Sequence, residues 1–168
     1  MSFETLGLSS ALLRALSEQG YDTPTPVQAA AIPVALSGRD LLAGAQTGTG
    51  KTAAFALPLL HRIGASIDDD SRVVQGLILV PTRELAMQVA EADEMLDMGF
   101  AEDLEAILGE VPPTRQTALF SATMAAPIRA IASRHLRDPQ LVSIARERVA
   151  PGETPRVREV AYVVQRRH

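Results

Sequence analysis

The run Ala45-Gln46-Thr47-Gly48-Thr49-Gly50-Lys51-Thr52 carries the clearest chemistry in the chain. Glycines 48 and 50 let a backbone wrap tightly enough to turn its N–H groups inward, onto phosphate oxygens. A helix that starts directly after such a wrap adds the positive end of its dipole. Lys51 then reaches the outer phosphates, and the Thr52 hydroxyl is a ligand for Mg²⁺. The strict pattern has glycine where this chain has Ala45.

That loop works only between a strand and a helix, and the flanking residues predict both. Leu41-Leu42-Ala43 is a short apolar run that reads as a buried strand, and nothing breaks a helix over Thr52–Ile63. Upstream, Leu8, Leu12, Leu13 and Leu16 repeat at helical spacing and stop at Gly20. Thr25-Pro26 starts a second helix with proline at its first position, running to Ser37-Gly38. Downstream, Gly76–Val80 predicts a second strand closed by Pro81, and Arg83–Met98 has no helix breaker. A short helix over Ala101–Leu108, a strand over Thr117–Phe120, a helix over Pro127–Leu136 and a strand over Leu141–Ile144 complete the pattern. Strands alternating with helices define an α/β layer fold with a parallel sheet.

Composition sets limits. The chain of 168 residues suits one domain, and 46% apolar residues suffice for a core. No cysteine is present, so disulfides and thiolate metal sites are excluded. No apolar run nears the ~18 residues of a membrane span, and the acidic, polar start MSFETLGLSS is unlike a signal peptide, so a cytoplasmic protein is expected. A net charge of −4 excludes gripping nucleic acid by bulk charge. Arg146, Arg148, Arg156, Arg158, Arg166 and Arg167 form one basic zone near the end, either a solvated tail or a local contact.

Several segments in order resemble the motifs of DEAD-box RNA helicases. Gly20-Tyr-Asp-Thr-Pro-Thr-Pro-Val-Gln28, with Phe3 upstream, resembles the Q motif. A glutamine amide can bond adenine N6 and N7 together, and Tyr21 can stack on the base. Thr25-x-x-Gln28 is equally a helix capping box, so Gln28 has two possible tasks. Pro81-Thr82-Arg83-Glu84-Leu-Ala86 looks like motif Ia, which implies contact with the RNA backbone. Ala90-Glu91-Ala92-Asp93 resembles motif II, and Ser121-Ala122-Thr123 resembles motif III, which couples hydrolysis to strand separation.

The resemblance implies a RecA-like domain over 1–149, including the Q-motif region 1–28, then a linker over 150–156 and the start of a second such domain over 157–168. It implies that Phe3, Tyr21, Gln28, Gln46, Thr47, Gly48, Thr49, Gly50, Lys51 and Thr52 bind ATP or ADP with Mg²⁺. Lys51, Glu91 and Asp93 then serve catalysis, and Pro81, Thr82, Arg83 and Glu84 touch RNA, weakly in this fragment. Unwinding needs the second domain, and no membrane is involved.

The chain departs from the family in two ways. Ala90 stands where the family has the first aspartate of motif II, the carboxylate that holds Mg²⁺ through water. Motif II also starts only a few residues after motif Ia, where the family places about two βα units, roughly sixty residues. The sheet is therefore expected to be short of strands. Read as one helix, Leu85–Leu96 would turn Glu91 and Asp93 about 200° apart. Nucleotide binding with poor hydrolysis is expected; a binding module without turnover, or an unstable product, are the alternatives.

Overall fold

Leu41-Leu42-Ala43-Gly44 forms the central strand β1, buried along its whole length. A strand with apolar residues at every position needs cover on both faces, which only a parallel, helix-flanked sheet provides. The computed structural model describes residues 1–65, 74–79, 95 and 99–144. A 3-10 turn at Phe3–Leu6 leads into α1 (Ser10–Glu18), α2 (Pro26–Leu36), β1 (Leu41–Gly44) and α3 (Lys51–Ala65). After these come α4 (Ala101–Glu110), β2 (Ala118–Ser121), α5 (Ala126–His135) and β3 (Gln140–Ser143). The strand order is β2-β1-β3, and both pairings of β1 are parallel, with Leu41 opposite Ala118 and Gln140. The expected α/β class is therefore correct.

Local signals account for most of these elements. Thr25 caps α2, and its capping box with Gln28 is complete. Gly20 and Gly38 close α1 and α2 in left-handed conformations, φ +74° and +81°. Val27, Ala31, Leu41, Ala43, Ala54 and Phe120 meet in one core cluster, which seats α2 and α3 on β1. Phe3, Leu6, Leu8 and Leu16 pack with Ile32 and Leu57 in a second cluster, anchoring the N-terminal turn and α1.

One expected strand is absent over its described part. Gly76–Leu79 has no strand structure, and Val74, Leu77 and Ile78 are exposed. The reason lies in the ladder. A strand exists only by pairing, and Gly76–Leu79 joins neither outer edge of the three-strand sheet. An apolar run without a partner strand stays irregular whatever its propensity. The expected helix from Arg83, motif Ia (Pro81–Glu84), Glu91, Asp93, the linker, the basic zone and the segment from Val157 lie outside the described residues, Met95 and the last turn before α4 aside.

Polar contacts tie the sheet together at its lower end, where the strands begin. Asp40 is buried, and its carboxylate accepts from Thr117 N at 2.8 Å and from Arg137 N at 2.6 Å. Its carbonyl accepts from Gln140 N at 2.8 Å. One residue thus joins the starts of all three strands. Gln116 extends the seam by donating to the carbonyls of Ala35 (2.9 Å) and Arg39 (2.6 Å).

On the surface, Glu105 of α4 clamps α5, bonding His135 Nε2 and Arg134 Nη1 at 2.7 Å each. The His135 hydrogen bond, with a smaller contribution from Arg134, holds the Glu105 carboxyl below its usual 4.5 against the opposing pull of desolvation. A folded-state value below the unfolded one gives stability that is present above pH 4.5 and is lost as pH falls through the folded value. Glu105→Gln is therefore expected to leave a flatter acid limb in a melting-temperature profile from pH 6 to pH 3. An unchanged limb would remove this clamp from the account.

Candidate functional site: the phosphate loop

The three strands end together, and their ends build the site. Beyond Gly44, the Ala45 N–H donates to Ser121 O at 3.1 Å, and the Ile144 N–H donates to Gly44 O at 2.8 Å. The loop thus leaves the sheet from its central strand, beside the end of β2. In open parallel sheets this position, where successive connections go to opposite sides, is where ligands bind. Within the loop, Gln46 O accepts from Thr49 N at 3.4 Å and from Thr49 Oγ1 at 2.6 Å. Gly48 and Gly50 are left-handed, φ +79° and +88°. Helix α3 starts at Lys51, and Ala54 N already bonds Gly50 O at 3.2 Å.

Lys51 is buried, and its ammonium donates to the Ala45 carbonyl across the base of the loop. Gln46, Thr47, Gly48 and Thr52 are exposed at its mouth. No atom lies within 4 Å of the position a Cβ on Gly48 would take, so the outer curve of the loop is open. An open glycine turn, a lysine at its base and a helix N-terminus beyond it fit a chain of phosphates. The metal donors are sparser. Among the described residues, no cluster of three or more His, Asp or Glu side chains could hold a metal, which leaves the exposed Thr52 hydroxyl.

Gln28 is bonded at both ends of its amide. Its Oε1 accepts from Thr25 N at 2.9 Å, and its Nε2 donates to Gly50 O at 3.1 Å. The capping task is therefore performed, and the same side chain ties α2 to the phosphate loop. The Thr25–Gln28 spacing announces the cap, but nothing local announces a partner 22 residues away. Tyr21 is 57% exposed and open to solvent near the end of α1. Phe3 is a core residue, 3% exposed. Of the ten residues expected to bind nucleotide, the structure brings together Gln28 and the loop 46–52; Phe3 sits in the core instead.

Ser121 is fully buried at the end of β2, while Ala122 and Thr123 are exposed. Ser121 Oγ accepts from Thr123 N at 3.2 Å and bonds the Thr123 carbonyl, closing a tight turn beside Ala45. Met124 was not foreseen. Its methyl group would lie 2.6 Å from a Cβ on Gly44, so it packs directly on the strand end that launches the loop.

Gly50→Ala tests this assembly. A Cβ there would collide with the Gln28 amide and force a left-handed alanine. The expected loss is about 1–2 kcal/mol in stability, together with weaker ADP binding in calorimetry. Wild-type values for both would show that the Gln28 contact is incidental.

A glycine-rich loop on the central strand of a parallel, helix-flanked sheet defines a phosphate-loop α/β domain. The family model described as DEAD/DEAH box helicase matches residues 25–92 and again 89–131, and the chain belongs to that family. It is 38% identical to the DEAD-box ATP-dependent RNA helicase CshA of Bacillus cereus, over 88% of this chain and 40% of that protein. It is 37% identical to the RNA helicase CrhR of Synechocystis, over 98% of this chain and 45% of that protein. Among solved structures, the RNA helicase Prp28 of Chaetomium thermophilum bound to ADP superposes with a TM-score of 0.77 at 33% identity, covering 87% of this chain and 51% of that one. The chain thus spans less than half the length of these two curated relatives.

The alignments also measure the internal shortening. The match to CshA runs over 212 positions, whereas 88% of 168 residues is about 148, so about 64 positions of CshA face no residue here. The CrhR alignment, 229 positions against 98% of the chain, leaves about the same shortfall. The family match is split into two stretches that overlap at residues 89–92, at the start of the motif II segment. A total shortfall of about 64 positions, with the family match split at motif II, agrees with the expected internal shortening. No helix among the described residues is long and apolar enough to cross a membrane.

Proposed function

We propose that this chain is the ATP-binding half of a DEAD-box RNA helicase that binds adenine nucleotide and hydrolyses it poorly. The observation that carries this reading is the phosphate loop at the end of β1, with two left-handed glycines and Lys51 seated at its base. On nucleotide binding Lys51 leaves the Ala45 carbonyl for the outer phosphates, and the N–H groups of Gly48–Thr52 turn onto the phosphate oxygens. Gln28, already against Gly50, stands where the loop can relay the presence of a base, and the exposed Tyr21 is free to stack on it. Thr52 is the residue that would hold Mg²⁺, whose charge neutralises the phosphates when bound.

Hydrolysis needs a metal-holding carboxylate and a group that orients the attacking water. Glu91 and Asp93 remain in the sequence, but Ala90 has no ligand atom, and the strand that presents motif II falls within the missing segment. Pro81, Thr82, Arg83 and Glu84 are the RNA contacts of this reading, and Ser121, Ala122 and Thr123 couple the site to them. Unwinding takes a second RecA-like domain, and the setting is cytoplasmic. The test is phosphate release from ATP with Mg²⁺ and RNA, run beside ADP calorimetry. Binding of ADP with negligible turnover is expected. Clear turnover that Lys51→Ala abolishes would overturn the claim of poor hydrolysis, and no ADP binding would overturn the whole reading. The exposed Val74, Leu77 and Ile78 favour one competing account, an unstable deletion product, which predicts a broad, non-cooperative melt in the same samples.

A further inference from the structure

Side chains alternate along a strand, so the two faces of β1 are filled differently. Leu41, Ala43 and Ala45 pack with Val27 and Ala31 of α2 and Ala54 of α3 in one core cluster. Leu42 packs on the other face, with Ile128 and Ala132 of α5 and Leu136 beyond it. Gly44 follows Leu42 on that second face and brings no side chain to it. Met124, partly buried, packs against the same cluster as Leu42. From the position of a Cβ on Gly44, the methionine Cε lies at 2.6 Å, its Cγ at 3.4 Å and its Sδ at 3.8 Å. Met124 therefore occupies the room that a side chain at position 44 would take.

The contact falls on the peptide that launches the phosphate loop. The Gly44 carbonyl accepts from Ile144 N at 2.8 Å, and the Ala45 N–H donates to Ser121 O at 3.1 Å. One peptide unit is thus gripped from both neighbouring strands, and Met124 covers it from the face of α5. The next carbonyl, that of Ala45, takes the Lys51 ammonium. Met124 is itself held in place. Arg129 Nη1 donates to its carbonyl, and Ser121 Oγ accepts from Thr123 N at 3.2 Å just before it.

We propose that Met124 is a positioning residue of the nucleotide site: by standing in for the absent side chain of Gly44, it fixes the peptide from which loop 46–52 springs. This rests on reading that loop as a nucleotide site. A loop held at its root meets the phosphates already ordered, and affinity rises because less order remains to be imposed on binding. The role lies in affinity more than in stability. A Cβ added at 44 meets first the far end of a flexible side chain, which can swing aside and leave the fold intact.

Gly44→Ala is the test, read by ADP calorimetry beside thermal melting. The added Cβ expels the methionine from its seat, and ADP binding is expected to weaken about tenfold while the melting temperature stays within about 3 °C of wild type. Adding Met124→Val removes the colliding methyl and the sulphur but keeps the side chain as far as Cγ, the atom that stands at 3.4 Å. This double variant nearly conserves volume and is expected to bind ADP within about threefold of wild type. A purely structural methionine would move the melting temperature and not the affinity of the folded chain. Should Gly44→Ala unfold, Met124→Ala empties the same seat with no added atom and is expected to show a loss of the same size. Wild-type ADP affinity in these single variants overturns the inference and leaves the nucleotide reading standing. A loss in Gly44→Ala that Met124→Val does not recover overturns it too. A wild-type chain that binds no ADP overturns both.

Discussion

Lys51→Ala is expected to lower the affinity for ADP about 100-fold, roughly 3 kcal/mol, while the melting temperature of the free chain changes little. The argument starts from where the lysine sits. Its ammonium is drawn to the base of the loop, on the Ala45 carbonyl, and its stem is buried. Both anchor points belong to the element junction, where β1 gives way to α3, so the charge is held within the curve of the loop rather than in solvent. A buried ammonium facing phosphate forms a charge-assisted bond about twice as strong as a neutral one. In the free chain the same group bonds the neutral Ala45 carbonyl, a contact that water can replace. The two states therefore lose very different amounts, and isothermal calorimetry paired with thermal melting separates them. Equal ADP affinity in wild type and variant would mean the nucleotide, if bound, does not sit in this loop.

Asp40→Ala is expected to destabilise the chain by about 3 kcal/mol, lowering its melting temperature by about 10 °C. Asp40 is the only residue whose side chain bonds the starts of both β2 and β3, at 2.8 Å and 2.6 Å, among the bonds of the described residues. Each is a charge-assisted bond to a backbone N–H, and alanine leaves both donors without that partner. Asp40→Asn should fall between, because an amide can accept only on its oxygen and must turn an N–H₂ towards the other donor. The clamp lies at the start of β1 and the phosphate loop at its end, so ADP affinity per folded molecule should hold. A melting temperature within about 1 °C of wild type for Asp40→Ala would remove the clamp as a source of stability. In a sheet of only three strands, each such tie bears a larger share of the total than in a full one.

Local chemistry was legible in the residues themselves. The caps at Thr25 and Gly38, the apolar run 41–43 and the helix after Lys51 follow from spacing and backbone preference, which act over a few residues. The phosphate loop is local in the same sense, since its glycines, lysine and threonine are contiguous. The family, its parallel α/β class and the missing segment were also readable, because motif order survives a deletion. Tertiary structure decided what depends on partners distant in the chain. Gly76–Leu79 has strand composition but is no strand, because it pairs with neither outer edge of the sheet. Phe3 is spoken for by a core cluster that no short motif can show. Gln28 performs its cap and also holds Gly50, and Asp40 joins three strands from positions 77 and 97 residues away. Periodicity and caps are properties of a segment. Ladders, buried carboxylates and cavities are properties of which segments meet, and that is fixed only when the chain has closed.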